Sequence, residues 1–323
     1  MVGMAKLLAV VSVSGADQKG VVARFATHVA ERGINIEDLE QQVVRGTFIM
    51  DMLVDLADMS CSLDELITDL LQLGGSIGMD VRVSLHDRKR VKKVAVLVSK
   101  EAHCLETLIE DQKLGRFRGR GVIDCVLANH EVLRPVAEAA GLPFAFSPVA
   151  GSDKSSHMSW LLGQLQQRQV DLVVLARYMQ ILDEKVVAAF RGRIINIHPS
   201  LLPYFPGAKP YMQAWEQGVR VTGCTAHFVT ENLDEGPIIL QDVFHIDVGK
   251  DTAEDVRAKG QALEARVLSD AVQMFLDEKL MVVDDKVVFR PGLSTFLDHA
   301  SAPGSAPAGK DTHRARGDAE TRR

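Results

Sequence analysis

The sequence contains few cysteines and no close cysteine pair. Its four cysteines are spread over 323 residues, at positions 61, 104, 125 and 224. A zinc site would bring two cysteines to within about two to four residues of each other, and a disulfide scaffold would need a higher cysteine density. The zinc-protease pattern His-Glu-x-x-His is also absent. We therefore expect reduced thiols, a cytoplasmic protein and no bound metal.

Long apolar runs and an excess of positive charge are missing too. No stretch reaches the roughly 18 apolar residues of a membrane helix, and residues 1–14 alternate like a strand rather than a signal peptide. Lysine and arginine together number 37 against 43 acidic residues, so the net charge is −6. The basic residues at 86–93 have no interleaved aromatic residues, which favours a solvated linker over a nucleic-acid patch. We expect no membrane and no nucleic-acid partner.

The composition is otherwise that of a globular protein, with 46% hydrophobic and 25% charged residues. At roughly 100–200 residues per domain, the length predicts two domains. We predict a first domain over residues 1–87, a linker at 88–93 and a second domain over 94–299. Residues 300–323 are rich in Ala, Pro, Gly, Ser and mixed charge, which predicts a disordered tail.

Alternating apolar residues and turn signals predict the fold of the first domain. The predicted strands cover 6–14, 34–45, 47–56 and 79–85, and the predicted helices cover 20–32 and 63–73. Arg45-Gly46 suits a hairpin turn, Ser62 with Glu65 forms a capping box, and Gly74-Gly75 is predicted to end the second helix. This βαββαβ order is that of a ferredoxin-like sandwich.

Strands alternate with helices in the second domain. Strands are predicted over 94–98, 121–128, 144–146, 171–175 and 194–197, and helices over 104–111, 131–140 and 156–168. This α/β pattern predicts a doubly wound, mainly parallel sheet, which binds ligands outside the carboxyl ends of its strands. Antiparallel strands at 221–229 and 236–244, a long helix from 252 and a last strand over 282–289 are predicted to follow.

The most informative stretch is Asn196-Ile197-His198, at the end of an apolar strand. The alternation of side chains along a strand places Asn196 and His198 on the same side. An amide can hold a developing oxyanion while an imidazole moves a proton, and acyl transfer requires both. The alternative is that either residue only caps the strand end, and the motif alone leaves both interpretations open.

Two further polar residues follow on a predicted strand and loop. Asp234 lies just before Gly236, and a loop carboxylate near a histidine can orient the ring, raise its pKa and hold a water. The alternative for Asp234 is ordinary turn chemistry. His227 alternates with apolar neighbours, so it is either a half-buried structural histidine or a second partner of the site.

No glycine-rich phosphate loop follows the first strand of the second domain. The turn there reads Ser99-Lys100-Glu101-Ala102-His103, without glycine, so neither the dinucleotide nor the nucleoside-triphosphate motif is present. Glu101 would also repel an anion at the start of the following helix. We expect no nucleotide, redox or metal cofactor.

Several motifs together resemble the 10-formyltetrahydrofolate-dependent formyltransferase family. They are Ile-Asn-Ile-His-Pro-Ser-Leu-Leu-Pro at 195–203, Gly-Cys-Thr-Ala-His at 223–227 with the following Asp-x-Gly at 234–236, and Leu-Ala-Arg-Tyr-Met-Gln-Ile-Leu at 175–182. Within that family the chain most resembles the formyltetrahydrofolate deformylases. That likeness rests on Ser-Lys-x-x-His-Cys-Leu at 99–105, Asn129-His130 and a first domain similar to the amino-acid-binding ACT domain. The resemblance covers about residues 5–290.

The resemblance implies roles for individual residues. Asn196 would hydrogen-bond the formyl oxygen, and His198 would handle protons. Asp234 would orient water and support the charged imidazole. The pterin pocket would be lined by Gln180, Leu182 and Val187 on one wall and by Val229 and Thr230 on the other.

The implied activity is hydrolysis of 10-formyltetrahydrofolate to tetrahydrofolate and formate, which would supply formate for one-carbon and purine metabolism. Pro199 departs from the deformylase pattern, in which a second histidine usually follows the catalytic one, and it resembles the glycinamide ribonucleotide formyltransferases. Those transferases bind a phosphorylated amine through a glycine-rich turn, which the turn at 99–103 lacks, so water is favoured as the acceptor. The alternatives are a formyltransferase acting on an amine and a non-catalytic folate or amino-acid sensor.

The first domain is expected to be regulatory. The turn Asp17-Gln18-Lys19-Gly20 precedes a helix whose first amides point at any carboxylate docked there, so Asp17 and Gly20 mark the expected site of an amino-acid effector such as methionine or glycine. The sheet edge is expected to pair with another subunit, giving a homo-oligomer. The alternative is that the domain only mediates assembly.

Overall fold

The computed structural model describes residues 7–85, 90–149, 154–204 and 209–289. The predicted tail at 300–323 and the first part of the predicted linker at 88–93 lie outside the described residues. None of the described helices is both long and apolar enough to cross a membrane.

The first domain is a four-stranded antiparallel sheet packed against two helices. Its elements are β1 (Leu8–Ala16), α1 (Val21–Ala30), β2 (Asn35–Val44), β3 (Thr47–Asp55), α2 (Leu63–Ser76) and β4 (Met79–Leu85), and the strand order is β2-β3-β1-β4. Alternate residues of β1, Val11 and Val13, are fully buried in one core with Phe25 of α1 and Leu66 of α2. The predicted ferredoxin-like βαββαβ fold is confirmed.

The helix α2 begins as predicted and ends later than predicted. Ser62 and Glu65 form the capping box at its start. The helix continues through Gly74 and Gly75, so the prediction that these glycines end it is wrong. A Cβ on Gly74 would lie 2.3 Å from Cγ2 of Val81, so this glycine serves the close approach of α2 to β4. Gly78, with a φ of +69°, makes the turn after the helix.

The second domain is built on a seven-stranded sheet with helices between the strands. Its elements are β5 (Lys92–Val98), α3 (His103–Lys113), β6 (Gly121–Ala128), α4 (Arg134–Ala139), β7 (Phe144–Phe146), α5 (Lys154–Gln167), β8 (Leu172–Ala176), α6 (Glu184–Ala189), β9 (Ile194–His198), α7 (Pro210–Glu216), β10 (Val221–Phe228), β11 (Ile238–His245), α8 (Ala253–Leu276), β12 (Leu280–Val283) and β13 (Lys286–Phe289). The strand order is β11-β10-β9-β8-β5-β6-β7, in which β10 and β11 run antiparallel to their neighbours. The doubly wound, mainly parallel sheet is confirmed.

Three local expectations for this domain need correction. Lys92 and Lys93, assigned to the linker, pair with β6 as the first residues of β5. The segment 282–289, predicted as one strand, contains the end of β12, the turn and all of β13 in the hairpin β12–β13. Its turn residues Asp284 and Asp285 have φ values of +48° and +56°, as a two-residue hairpin turn requires. The helices α6 and α7 were not predicted, because each is shorter than two helical turns.

The antiparallel strand β10 extends beyond the end of β9. Thr225 pairs with His198, the last residue of β9, so the preceding part of β10 continues past that end, paired only with β11. Thr225 also holds the chain after β9, because its Oγ1 donates to the Ser200 carbonyl at 2.7 Å and accepts from the Leu202 amide at 3.1 Å. Polar residues at the carboxyl end of β9 therefore lie beside a hydrogen-bonded ribbon.

Candidate active site

Asn196 and His198 are brought together with His227 by the register between β9 and β10. Asn196 pairs directly with His227, and His198 pairs with Thr225. Because side chains of paired residues share a sheet face, all of these side chains lie on one side of the sheet. His198 and His227 are 7% and 1% exposed, so both rings are largely shielded from water.

The loop after β10 returns Asp234 to the same place. Asp234 has a φ of +57°, a left-handed conformation that aspartate tolerates better than most residues. Gly236 follows, and a Cβ there would lie 1.7 Å from the Phe228 carbonyl oxygen, so only glycine permits this close return. The Asp234 carboxylate consequently sits 3.2 Å from Nδ1 of His198 and 3.7 Å from Nε2 of His227.

The two ring nitrogens of His198 face different surroundings. We assign the proton to Nδ1, because this nitrogen faces the Asp234 carboxylate. Within the described part of the chain, Nε2 is buried and has no hydrogen-bond partner. The hydrogen bond to His198 lowers the pKa of Asp234, outweighing the opposing effect of burial, so this carboxylate remains ionised. With the proton assigned to Nδ1, the ring of His198 turns Nε2 toward the buried side of the site.

His227 orients the Asn196 amide. Nδ1 of His227 donates to the Phe228 carbonyl at 2.9 Å, which leaves Nε2 to accept a hydrogen bond from the Asn196 Nδ2 at 3.1 Å. Burial lowers the pKa of His227, and the nearby Asp234 charge opposes this only partly. His227 is therefore a neutral acceptor that fixes which end of the amide is the donor. The sequence left two interpretations of His227, a structural histidine or a partner of the site residues. The structure favours the role as a partner, because His227 hydrogen-bonds Asn196.

The predicted substrate-binding residues lie in two neighbouring places, a hydrophobic cluster and a cavity, and Val229 belongs to both. Leu182 and Val229 both pack against one hydrophobic cluster that includes Val186, so the two predicted pocket walls share this support. Gln180 is half-buried in the same segment as Leu182.

A cavity of about 1200 Å³ lies between the two domains and includes three predicted pocket residues. Val187, Val229 and Thr230 line it from the second domain, and Ser12 and Arg45 line it from the first. Of the residues that the structure describes, the catalytic candidates do not line this cavity. It is therefore a separate space next to the 229–234 loop.

The predicted effector turn has the expected backbone geometry. Gly20 is the N-cap of α1 with a φ of +86°, and the Asp17 amide donates to the Gly46 carbonyl at 2.8 Å. The turn thereby leads into the helix start, and its role in binding an amino acid stays a prediction.

One side-chain group has the composition of a metal site. His103, Cys104 and Glu264 place ligand atoms within 4.8 Å of one another. The Glu264 carboxylate already pairs with Nε of Arg177 at 3.4 Å and lies 3.3 Å from Nε2 of His103. A guanidinium at this distance would repel a metal cation. We keep the absence of a metal as a prediction.

Comparison with known proteins places the chain in a family. Residues 92–272 match the formyl transferase family and residues 8–84 match the ACT domain. A formyltetrahydrofolate deformylase of Bacillus subtilis (strain 168) is 37% identical over 281 residues, covering 85% of this chain and 91% of that protein. The Escherichia coli formyltetrahydrofolate deformylase is 37% identical over 282 residues, covering 84% of this chain and 94% of its own.

Solved structures separate two kinds of relative. The crystal structure of a formyltetrahydrofolate deformylase from Pseudomonas syringae has a TM-score of 0.78 at 31% identity, covering 90% of this chain and 96% of that chain. Glycinamide ribonucleotide transformylase 1 from Symbiobacterium toebii has a TM-score of 0.59 at 34% identity and covers 64% of this chain and 98% of its own. The first kind of match extends over nine-tenths of the chain, and the second kind over less than two thirds.

The chain belongs to the formyltetrahydrofolate deformylase family. Membership agrees with the presence of both domains, because a deformylase relative covers 90% of the chain whereas the transformylase covers 64%. The expected likeness to the formyltransferases and to the ACT domain is confirmed. The ACT match lies within the predicted first domain, whereas the formyl transferase match begins at residue 92, two residues before the predicted second domain. The predicted domain boundaries stay predictions.

Proposed function

We propose that this chain hydrolyses 10-formyltetrahydrofolate to tetrahydrofolate and formate, using the site around His198. The observation that carries the proposal is the His198–Asp234 pair at 3.2 Å, which leaves Nε2 of His198 buried on the sheet face that also carries Asn196. We further propose that the enzyme acts in the cytoplasm without a cofactor and supplies formate for one-carbon and purine metabolism.

The geometry supports a general-base mechanism. Nε2 of His198 takes a proton from water, whose oxygen attacks the formyl carbon. The formyl oxygen becomes an oxyanion, which an N–H of the Asn196 amide stabilises. The imidazolium then returns its proton to N10 of the folate as the C–N bond breaks, releasing formate and tetrahydrofolate. Asp234 orients the His198 ring throughout and stabilises the positive charge that the ring carries between the two proton transfers. This role is in addition to the predicted contact of Asp234 with water.

Water as the acceptor is supported by the turn between β5 and α3. Oε2 of Glu101 accepts from Nε of Arg177 at 2.7 Å, and Oε1 of Glu101 accepts from Arg257 at 2.9 Å. A carboxylate with two guanidinium partners thus occupies the turn before the α3 N-terminus, where an anionic acceptor would otherwise be attracted. The same turn disfavours the competing formyltransferase function.

The decisive experiment is formate release by the purified chain from 10-formyltetrahydrofolate with no amine present. Release at a rate that added amines do not raise supports hydrolysis. Formyl transfer that depends on an added amine would support the transferase, and tight binding of reduced folate without turnover would support a sensor.

Regulation by an amino acid and a homo-oligomeric state are part of the same proposal. The ACT match and the helix start at Gly20 support a small-molecule effector near Asp17. Methionine and glycine are the first candidates, and either should change the hydrolytic rate of the full chain. Unchanged rate and melting temperature with all twenty amino acids at millimolar concentration would leave the domain a role in assembly only.

A further inference from the structure

A polar network that takes no part in the proton transfers above holds the chain directly after β8. Three consecutive residues, Arg177, Tyr178 and Met179, each hydrogen-bond a side chain from a distant part of the sequence. The Met179 amide donates to Oγ of Ser99 at 2.9 Å, next to β5. The Tyr178 hydroxyl hydrogen-bonds the His157 ring of α5. These contacts fix the start of the 177–182 segment.

Arg177 makes the strongest of these connections. Its Nε lies 2.7 Å from Oε2 of Glu101 and 3.4 Å from Oε2 of Glu264. Glu101 belongs to the turn after β5, and Glu264 is a residue of α8 that is 1% exposed. One guanidinium therefore joins three elements at the carboxyl edge of the sheet.

The charges in this network are balanced. Burial alone would lower the pKa of Arg177, but Glu264 and Glu101 together raise it. Burial would likewise raise the pKa of Glu101, but Arg177 and further partners lower it. Arg257 supplies the second positive charge at 2.9 Å from Glu101. The buried ions are therefore paired, which is the condition under which such a network persists.

The backbone of Arg177 adopts a conformation that is unusual for arginine. Its φ is +61°, a left-handed conformation that costs free energy for every residue except glycine. Such strain persists where surrounding contacts determine the conformation. Here those contacts are the two carboxylates.

The anchored segment presents apolar side chains to solvent. Met179 is 66% exposed and Ile181 is 56% exposed. The far end of the segment is also held, because the Asp183 side chain caps α6 by accepting from the Val186 amide at 2.9 Å. A segment anchored at both ends holds these exposed apolar side chains where they can pack against the flat face of a ligand ring.

We propose that the Arg177–Glu101–Glu264 network is a positioning device for the 177–182 segment, and that Arg177 is a positioning residue for the folate substrate. This inference rests on the proposed function. Arg177 acts through the backbone it holds, so its loss should weaken substrate binding more than it slows the chemical step.

The test compares substitutions at two arginines that share a backbone conformation. Arg118 also has a positive φ, of +51°, but its side chain is 68% exposed and lies in the loop between α3 and β6. Arg177→Ala should raise KM for 10-formyltetrahydrofolate about tenfold or more and change kcat less than about threefold. Arg118→Ala and Arg118→Gly should leave both constants at the wild-type values.

Two further variants separate positioning from folding. Arg177→Gly relieves the backbone strain but loses the network, so it should fold and still raise KM. Arg177→Lys retains the charge without the planar fork, so its KM should lie between those of the wild type and Arg177→Ala. Glu101→Gln, at the more exposed end, provides a milder break if Arg177→Ala fails to fold.

Binding of tetrahydrofolate, measured by calorimetry alongside turnover, keeps the two proposals distinct. A wild type that releases no formate contradicts the proposed function, while weaker binding by Arg177→Gly still supports positioning. An active wild type together with variants of unchanged KM and affinity overturns the positioning role. A lowered melting temperature with unchanged KM would have the same consequence, because Arg177 would then be structural only.

Discussion

At the scale of single residues, the site depends on the different environments of the two His198 nitrogens. Nδ1 faces Asp234 at 3.2 Å, and Nε2 is buried without a partner in the described chain. Asn196, His198 and Asp234 could be predicted because strand alternation and the family motifs both point to them. For His227 the sequence left two interpretations open, because the choice between them depends on the register of β10 against β9, which local sequence does not encode.

Substituting Asn196, His198 or Asp234 should slow turnover while the protein keeps its fold. Asn196→Ala removes the donor to the oxyanion, His198→Ala removes the base, and Asp234→Asn removes the charge that orients the ring. We expect each to lower kcat by about 10²-fold or more. Formate release gives the rates, and circular dichroism with thermal melting checks the fold. A variant with near-normal kcat would remove its residue from the mechanism.

At the scale of elements, the loop after β10 is shaped by one glycine. Gly236 touches the Phe228 carbonyl and thereby sets the return of the chain that carries Asp234. Strands and long helices were predictable because their periodic patterns are long. The β12–β13 turn was missed because Asp284-Asp285 lacks the glycine that usually marks a hairpin, and Gly74 was misread because its role lies in contact with β4.

Gly236→Ala should disturb both stability and catalysis. The added methyl group cannot fit 1.7 Å from a carbonyl oxygen, so the loop must shift. We expect a loss of about 1–3 kcal/mol in unfolding free energy, together with a lower kcat because Asp234 moves from His198. Gly163→Ala is the control, since a Cβ there meets nothing within 4 Å inside α5. Urea unfolding should show Gly163→Ala neutral or up to about 1 kcal/mol more stable. Equal behaviour of the two variants would refute this reading of Gly236.

At the scale of the whole molecule, the two-domain architecture was predictable from length and from the switch between sheet patterns. The cavity between the domains was not, because its lining joins Ser12 and Arg45 to residues more than a hundred positions away. The buried histidines His157 and His227, each 1% exposed, are a further whole-molecule property. Burial lowers the pKa of both rings below their ordinary 6.5.

This burial predicts how stability depends on pH. Above pH 6.5 both states hold these histidines neutral, so stability is fully present. As pH falls below that value, these histidines bind more protons in the unfolded chain than in the folded chain. The unfolding free energy therefore decreases by at most about 1.4 kcal/mol per pH unit for each histidine. Urea unfolding between pH 8 and pH 5 measures the slope. His227→Gln should have a shallower slope than the wild type, whereas exposed His245→Gln should match it. Equal slopes in all three proteins would contradict the prediction.

The ribbon of β10 and β11 that passes the end of β9 limits the routes by which substrate can reach the site. A wall made of ladder hydrogen bonds cannot swing aside without local unfolding, and Gln241 further ties it to the Leu202 carbonyl at 3.1 Å. We therefore expect folate to enter and leave on the β8 side, past the 177–182 segment. We expect amide hydrogen exchange of β10 to stay as slow during turnover as at rest. Faster exchange of β10 under turnover would show that the ribbon opens to let substrate pass, which contradicts the prediction.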